Sequence, residues 1–213
     1  QTEGSEATRT ATFTPGRDAA RKEASKLNVP RIGVRFRLPA SMNQVEYFGR
    51  GPAENYLDRN AGSMIGLYKS TAEELYFPYV RPQENGHHTD TRWVSLSTGK
   101  KGLLIQADNT IGFNALRNSI EDFDDEEATG LSRQWSNFTP EQVANHDEAA
   151  AKNVLRRQHH INDITPCDFV EVCVDLKQQG VAGYDSWGSR PEPAYTLPAN
   201  REYNWGFTLI PLK

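Results

Sequence analysis

The stretch Gly180-Val-Ala-Gly183-Tyr184-Asp185-Ser186-Trp187-Gly188-Ser189 places one large aromatic ring among residues that favour turns. Gly180, Gly183 and Gly188 supply backbone freedom, while Asp185 and Ser186 can tie a loop to itself through side-chain to backbone hydrogen bonds. A loop of this kind can hold an indole face outward. Such a face suits the apolar C–H patch of a sugar ring, where stacking contributes on the order of 1 kcal/mol beyond area burial. Asp185 and Ser186 stand beside it to orient hydroxyls. The same residues also fit a core tryptophan beneath a loop, because tryptophan is highly buried on average.

Two further clusters gather polar groups at turns. Gly49-Arg-Gly51-Pro52-Ala-Glu54-Asn55-Tyr56-Leu-Asp58-Arg59 sets two glycines and a proline ahead of hydrogen-bonding side chains. It reads either as a turn presenting groups such as Asn55, or as a structural loop that Asp58 and Arg59 pin to the fold with Tyr56 packed beneath. Tyr79-Val-Arg-Pro82-Gln-Glu84-Asn85-Gly86-His87-His88 contains an Asn-Gly turn signal leading into a strand around Trp93. Glu84, Asn85, His87 and Arg92 are the candidate loop or sugar contacts there. Adjacent histidines on an extended chain point to opposite faces, so His87 and His88 are poorly arranged to share an ion, and His159-His160 has the same weakness.

No metal and no cofactor is expected. Cys167 and Cys173 read as one strand, which would hold them about 20 Å apart, beyond the reach of a disulfide, so both are expected to be free thiols. Glu121 to Glu127 carries six carboxylates in seven residues. It lacks the glycine and ligand spacing of a calcium loop and reads as a solvated loop. A glycosidase needs two carboxyls at a defined separation, and this exposed run is not a natural candidate for them.

The elements that position these residues are strands. In Ile32-Gly-Val-Arg-Phe-Arg-Leu38 the apolar residues alternate with Gly33, Arg35 and Arg37, the period-2 signature of a strand with one wet face. Similar patterns recur at 44–48, 92–96, 103–107, 111–116, 168–176 and 203–210. Short strands at this spacing predict an all-β sandwich. One helix is expected from Thr139-Pro140-Glu141-Gln142, where a capping box opens it, toward Arg156. Residues 1–30 are polar and read as a linker or partial edge strand, leaving 31–213 as one domain.

Composition bounds the function. The 213 residues suffice for a real core. A net charge of −4 gives no electrostatic reason to expect nucleic-acid binding, and no apolar run approaches the roughly 20 residues that span a bilayer. Neither a nucleic acid nor a membrane is therefore an expected partner. The compartment stays open between cytoplasmic and periplasmic or secreted.

Five motifs in order, Pro30-Arg31-Ile32-Gly33, Gly49-x-Gly51-Pro52-x-Glu54-Asn55-Tyr56-x-Asp58-Arg59, Pro78-Tyr79-Val80-x-Pro82-x-Glu84-Asn85-Gly86, Thr91-Arg92 and Gly183-x-Asp185-Ser186-Trp187, resemble the C-terminal small-chain domain of the β-galactosidases of glycoside hydrolase family two. The resemblance implies a β-supersandwich of the galactose mutarotase-like type, placed last in a long enzyme whose catalytic glutamates reside in a separate (β/α)₈ barrel. At about 250 residues such a barrel does not fit within this chain. No catalytic residue is therefore expected here, and the chain alone is expected to be inactive. The resemblance further implies that Trp187 reaches into the barrel's active site and stacks on a β-galactoside, with Asp185 and Ser186 beside it. The implied partners are that substrate and the barrel and other domains of the same parent chain, with a homo-oligomer left open. Two other readings stand beside this one. An aldose 1-epimerase would share the fold and use Glu84 with His87 or His88 as acid and base. A packing scaffold would expose an apolar patch on one face.

Overall fold

The computed structural model describes residues 7–13, 27–81, 83–123, 161–185 and 188–213. Eight strands occupy most of them: β1 (Ala7–Phe13), β2 (Arg31–Pro39), β3 (Gln44–Gly51), β4 (Met64–Thr71), β5 (His88–Ser97), β6 (Gly102–Leu116), β7 (Phe169–Gln178) and β8 (Tyr203–Leu212). Three 3-10 turns, Ile120–Asp122, Ile161–Asp163 and Pro193–Tyr195, are the helical elements among the described residues. The helix expected from Thr139 to Arg156 lies outside them. No helix among the described residues is long and apolar enough to cross a membrane.

Every pairing is antiparallel, and the order β1-β8-β6-β5-β3-β4 is joined by β7 on β6 and β2 on β7. The fork lies in β6. Its Gly102–Ala107 half pairs with β8, whereas Gly112–Leu116 pairs with β7, and β5 runs along the other side of both. Opposite the fork the β5 register shifts between His88 and Thr91 and again between Thr91 and Trp93. Such bulges bend a sheet and let one strand serve two ladders.

The expected all-β sandwich is thus present, closed on one apolar core. Val45 and Tyr47 of β3, Val94 and Leu96 of β5, Ile105, Phe113 and Ala115 of β6, Val170, Val172 and Val174 of β7 and Phe207 of β8 are buried together. At about 1.5–3 kcal/mol for each fully buried Val, Leu, Ile or Phe side chain, these inward positions dominate the drive to fold. β2 behaves as its alternation predicts: Val34, Phe36 and Leu38 pack on the core while Arg35 and Arg37 are exposed.

Three expectations about elements change. The segments 103–107 and 111–116 form one continuous strand. β4, Met64–Thr71, was not expected from sequence, because Met64, Ile65 and Leu67 do not alternate and all three are exposed. Its strand state comes from an eight-residue ladder with β3. Cys167 precedes β7, so it does not share a strand with Cys173; both cysteines are nevertheless free.

Candidate functional site

The loops after β3 and before β5 interlock. Glu54 accepts hydrogen bonds from the Tyr56 hydroxyl at 3.0 Å, from the Gly86 N–H at 2.7 Å and from the Tyr79 hydroxyl. Burial, reinforced by Glu54, raises both phenols above their ordinary pKa, Tyr56 strongly, so they remain neutral donors. Asn55, 1% exposed, donates to the carbonyls of Arg50 and Ala53 and accepts from the Thr89 N–H at 2.9 Å and hydroxyl at 2.6 Å. Asn85, 2% exposed, bridges the Phe77 backbone, accepting from its N–H at 2.8 Å and donating to its C=O at 2.6 Å. The short amide side chains here replace backbone partners that an irregular loop leaves unpaired. Asn55 and Asn85 therefore act as internal braces.

Beneath this loop pair lies a polar cluster built on β2, β6 and β7. The Arg31 guanidinium donates to Gln178 at 2.6 Å, Asn114 at 2.8 Å and Glu84 at 3.2 Å, and its Nε stands 3.1 Å from the buried Asp175 carboxylate. The Nε contact is close but not aligned as a hydrogen bond, so the attraction there is chiefly coulombic. Burial pushes the Asp175 carboxyl up to about 7 against the opposing pull of Arg31. Burial also acts to lower the Arg31 pKa, but Asp175 and Glu84 outweigh it and hold the guanidinium above its usual value. Gly33 faces Asp175 so closely that a Cβ would collide with its carboxylate and with the Val174 carbonyl.

His87 and His88 are both buried, at 1% and 0% exposure. The His87 Nδ1 lies 2.8 Å from the Asn114 Oδ1, which assigns the proton to that nitrogen, and Tyr56 stacks on the ring at 5.8 Å. Burial pulls His87 down to about 3 and His88 to about 4, so both rings are neutral. His88 stacks on Phe113 at 5.1 Å, and its Nδ1 meets the Arg50 carbonyl at 3.1 Å. Its native pKa lies below the unfolded value of 6.5, so the unfolded chain binds the extra proton and stability falls as pH drops from 6.5 to about 4. His88→Phe, which keeps the stacked ring, should lower the slope of stability against pH in that window by up to about 1.4 kcal/mol per pH unit. Urea unfolding of variant and parent chains across the window checks this, and their difference cancels contributions from Asp175 and His87.

The loop after β7 is fastened to the loop after β3. The Asp58 carboxylate accepts the N–H of Val181 at 3.1 Å and of Ala182 at 2.7 Å, and the Gly180 N–H donates to the Tyr195 carbonyl at 2.8 Å. Ala182, 6% exposed, has φ +55°, followed by Gly183 at φ +87°. A left-handed alanine costs on the order of 1–3 kcal/mol and persists where its surroundings hold it. The Tyr184 N–H donates to the Ser189 hydroxyl at 3.1 Å, and Tyr184, Asp185 and Gly188 are exposed. Ser186 and Trp187 lie outside the described residues, as do Pro82, His159, His160 and residues 124–127 of the acidic run. Glu121 pairs with Arg35 at 2.6 Å.

Of the candidate contacts, Asn55, Glu84, Asn85 and His87 come together in the braced loops and the polar cluster. Arg92 does not join them: it is exposed, lies over the Phe48 ring at 5.2 Å, and borders an open groove of about 720 Å³ with Glu46, Trp93, Gln106 and Asp108. Sequence reasoning missed Arg31 and Asp175 as partners. The available signal was Glu171 and Asp175 set among the apolar residues of β7 at the same period as Arg31, Arg35 and Arg37 of β2. Among the described residues no group of three or more His, Cys, Asp or Glu side chains is arranged to hold a metal ion.

Residues 4–209 match the protein family described as the beta galactosidase small chain. A beta-galactosidase of Priestia megaterium is 35% identical over 185 residues, covering 86% of this chain and 15% of that protein. One from an Arthrobacter species is 40% identical over 111 residues, covering 49% of this chain and 11% of the relative. One from Vibrio cholerae is 29% identical over 181 residues, covering 85% and 14%. The chain thus spans about 15% or less of the length of these curated relatives.

Proposed function

The chain belongs to the β-galactosidase small-chain family, and from that premise we propose that it is a non-catalytic domain of a longer β-galactosidase, lending a sugar-stacking loop to an active site built elsewhere in the parent chain. Trp187 is the stacking residue, flanked by Asp185 and Ser186, and the substrate is a terminal β-galactoside. The observation that carries this reading is the tether of the Gly180–Gly183 backbone to Asp58. It fixes where the loop leaves the sandwich while Tyr184 and Asp185 stay at the surface. A preorganised loop holds an aromatic platform without losing ordering entropy when sugar arrives. The nucleophile and general acid then belong to the separate barrel, and no metal or cofactor is assigned to this domain.

In the full-length enzyme, Trp187→Ala should raise KM for an aryl galactoside about fivefold to tenfold, the loss of one stacking contact, while the 213-residue chain alone should release no aryl alcohol. Unchanged kinetics for the variant would end the stacking role, and turnover by the isolated chain would end the division of labour.

The epimerase reading finds no support in the site, because His87 and His88 are neutral and buried with their Nδ1 atoms engaged. A packing role accompanies the main reading. Met64 and Leu67 on edge strand β4 are 71% and 59% exposed, with Ile65 at 43% and Val80 at 78%. An apolar edge strand invites a covering partner, and the rest of the parent chain is the natural one.

A further inference from the structure

We propose that Asp58 is the positioning residue of the sugar loop, acting at a distance from the sugar by filling an anion nest in the backbone that precedes Trp187. This rests on the reading of Trp187 as the stacking residue. Consecutive N–H groups of Val181 and Ala182 converge on the two carboxylate oxygens, Oδ1 and Oδ2. The backbone continues in a left-handed turn, Ala182 at φ +55° and Gly183 at φ +87°, the kind of conformation in which successive N–H groups form an anion-binding concavity. The nest is closed on its other side as well. A Cβ at Gly180 would lie 2.5 Å from the Asp58 Cγ and Oδ2, so the loop backbone rests directly on the carboxylate. Asp58 sits in the turn in which Tyr56 and Arg59 exchange backbone hydrogen bonds at 3.3 and 2.8 Å, and the Tyr56 side chain that opens this turn is buried.

The chemistry makes a carboxylate specific at this point. Two parallel N–H donors need two acceptor oxygens, and a negative charge strengthens both bonds. An amide offers one oxygen and turns an NH₂ group toward a donor. The left-handed Ala182 conformation is then left without the partner that holds it, and the chain leading to Asp185 is released from the sandwich. Asp58 therefore places the loop and does not contact substrate.

The test is a double-mutant cycle in the full-length enzyme, with aryl-galactoside kinetics and amide hydrogen exchange as readouts. Asp58→Ala and Asp58→Asn should each raise KM severalfold, up to the about fivefold to tenfold of Trp187→Ala, because the stacking contact is what they release. In the Trp187→Ala background the same substitutions should add less than about a twofold further rise, because the two residues act on one contact. Exchange at the Val181 and Ala182 amides should quicken in both variants, while amides of β3 and β5 keep their protection; Asp58→Asn preserves side-chain volume and keeps the test open if Asp58→Ala does not fold. Trp187→Ala leaving KM unchanged refutes the stacking reading on its own. If Trp187→Ala does impair the enzyme, an equal Asp58 penalty with and without the indole overturns the present inference alone, as does quickened exchange with no change in KM.

Discussion

Replacing Arg31 by alanine is expected to destabilise the 213-residue chain by about 3–5 kcal/mol, the cost of removing one partner from a buried ion pair. The size follows from what the guanidinium serves. It faces Asp175, whose side chain is 1% exposed, and also satisfies Glu84, Asn114 and Gln178. Without it the carboxylate is left in the interior with the neutral His87 ring at 3.8 Å as its nearest relief. The effect has a sign with pH. Asp175 already titrates near 7, pushed up by burial, and loss of the opposing Arg31 charge raises it further. A carboxyl raised in the native state costs stability as pH climbs toward its native pKa, since the unfolded chain gives up the proton first. The deficit of the variant relative to the parent should therefore be larger at about pH 8.5 than at about pH 6. Urea denaturation at the two values measures it. A deficit under about 1 kcal/mol at both would show the cluster to be solvated rather than buried.

Glu54→Ala should be the second severe substitution, at about 3 kcal/mol, because it strips an acceptor from three donors at once. The Tyr56 hydroxyl and the Gly86 N–H lose their partner in an interior where Tyr56 is 1% exposed, and Tyr79 loses its anchor to the same carboxylate. Glu54→Gln should recover most of the loss. Its amide oxygen can accept from Tyr56 and Gly86, and its NH₂ can donate to the Tyr79 oxygen. Thermal unfolding of the three chains separates the accounts: equal damage by Ala and Gln would mean that charge, not acceptor count, holds the loops together. The consequence reaches toward the loop after β7, since Tyr56 also opens the turn that carries Asp58.

Much of the scaffold was legible in local pattern. β2 and the inward positions of β3, β5 and β7 follow from alternation, which any half-buried strand must obey. Asn85-Gly86 forms no assigned turn, but Gly86 does take φ +68°, packed against Leu116 where a Cβ would not fit. The reading of Asp58 as a pin and of Tyr56 as a packed ring was one of two that the sequence left open, and the geometry selects it. β4 was not legible, because its apolar residues face outward and its state depends on a neighbour. The burial of both members of the His87-His88 pair was not legible either. Alternation puts adjacent side chains on opposite faces, but here both faces are covered, one by Tyr47 and Phe113 and the other by Tyr56 and Asn114.

By itself the sequence determined the all-β class, the main turns, the family and the candidate sugar loop, because periodicity and turn chemistry are local and the five motifs are ordered along the chain. Only the tertiary structure decided which charges meet. Arg31 joins Gln178 across 147 positions and Glu84 across 53, and Asp58 reaches Ala182 across 124. Such pairs depend on strand register and on the fork in β6, which no local pattern encodes. A carboxylate in a polar motif looks the same in sequence whether it meets water, a sugar or a backbone nest; the fold alone turns Asp58 inward to the loop.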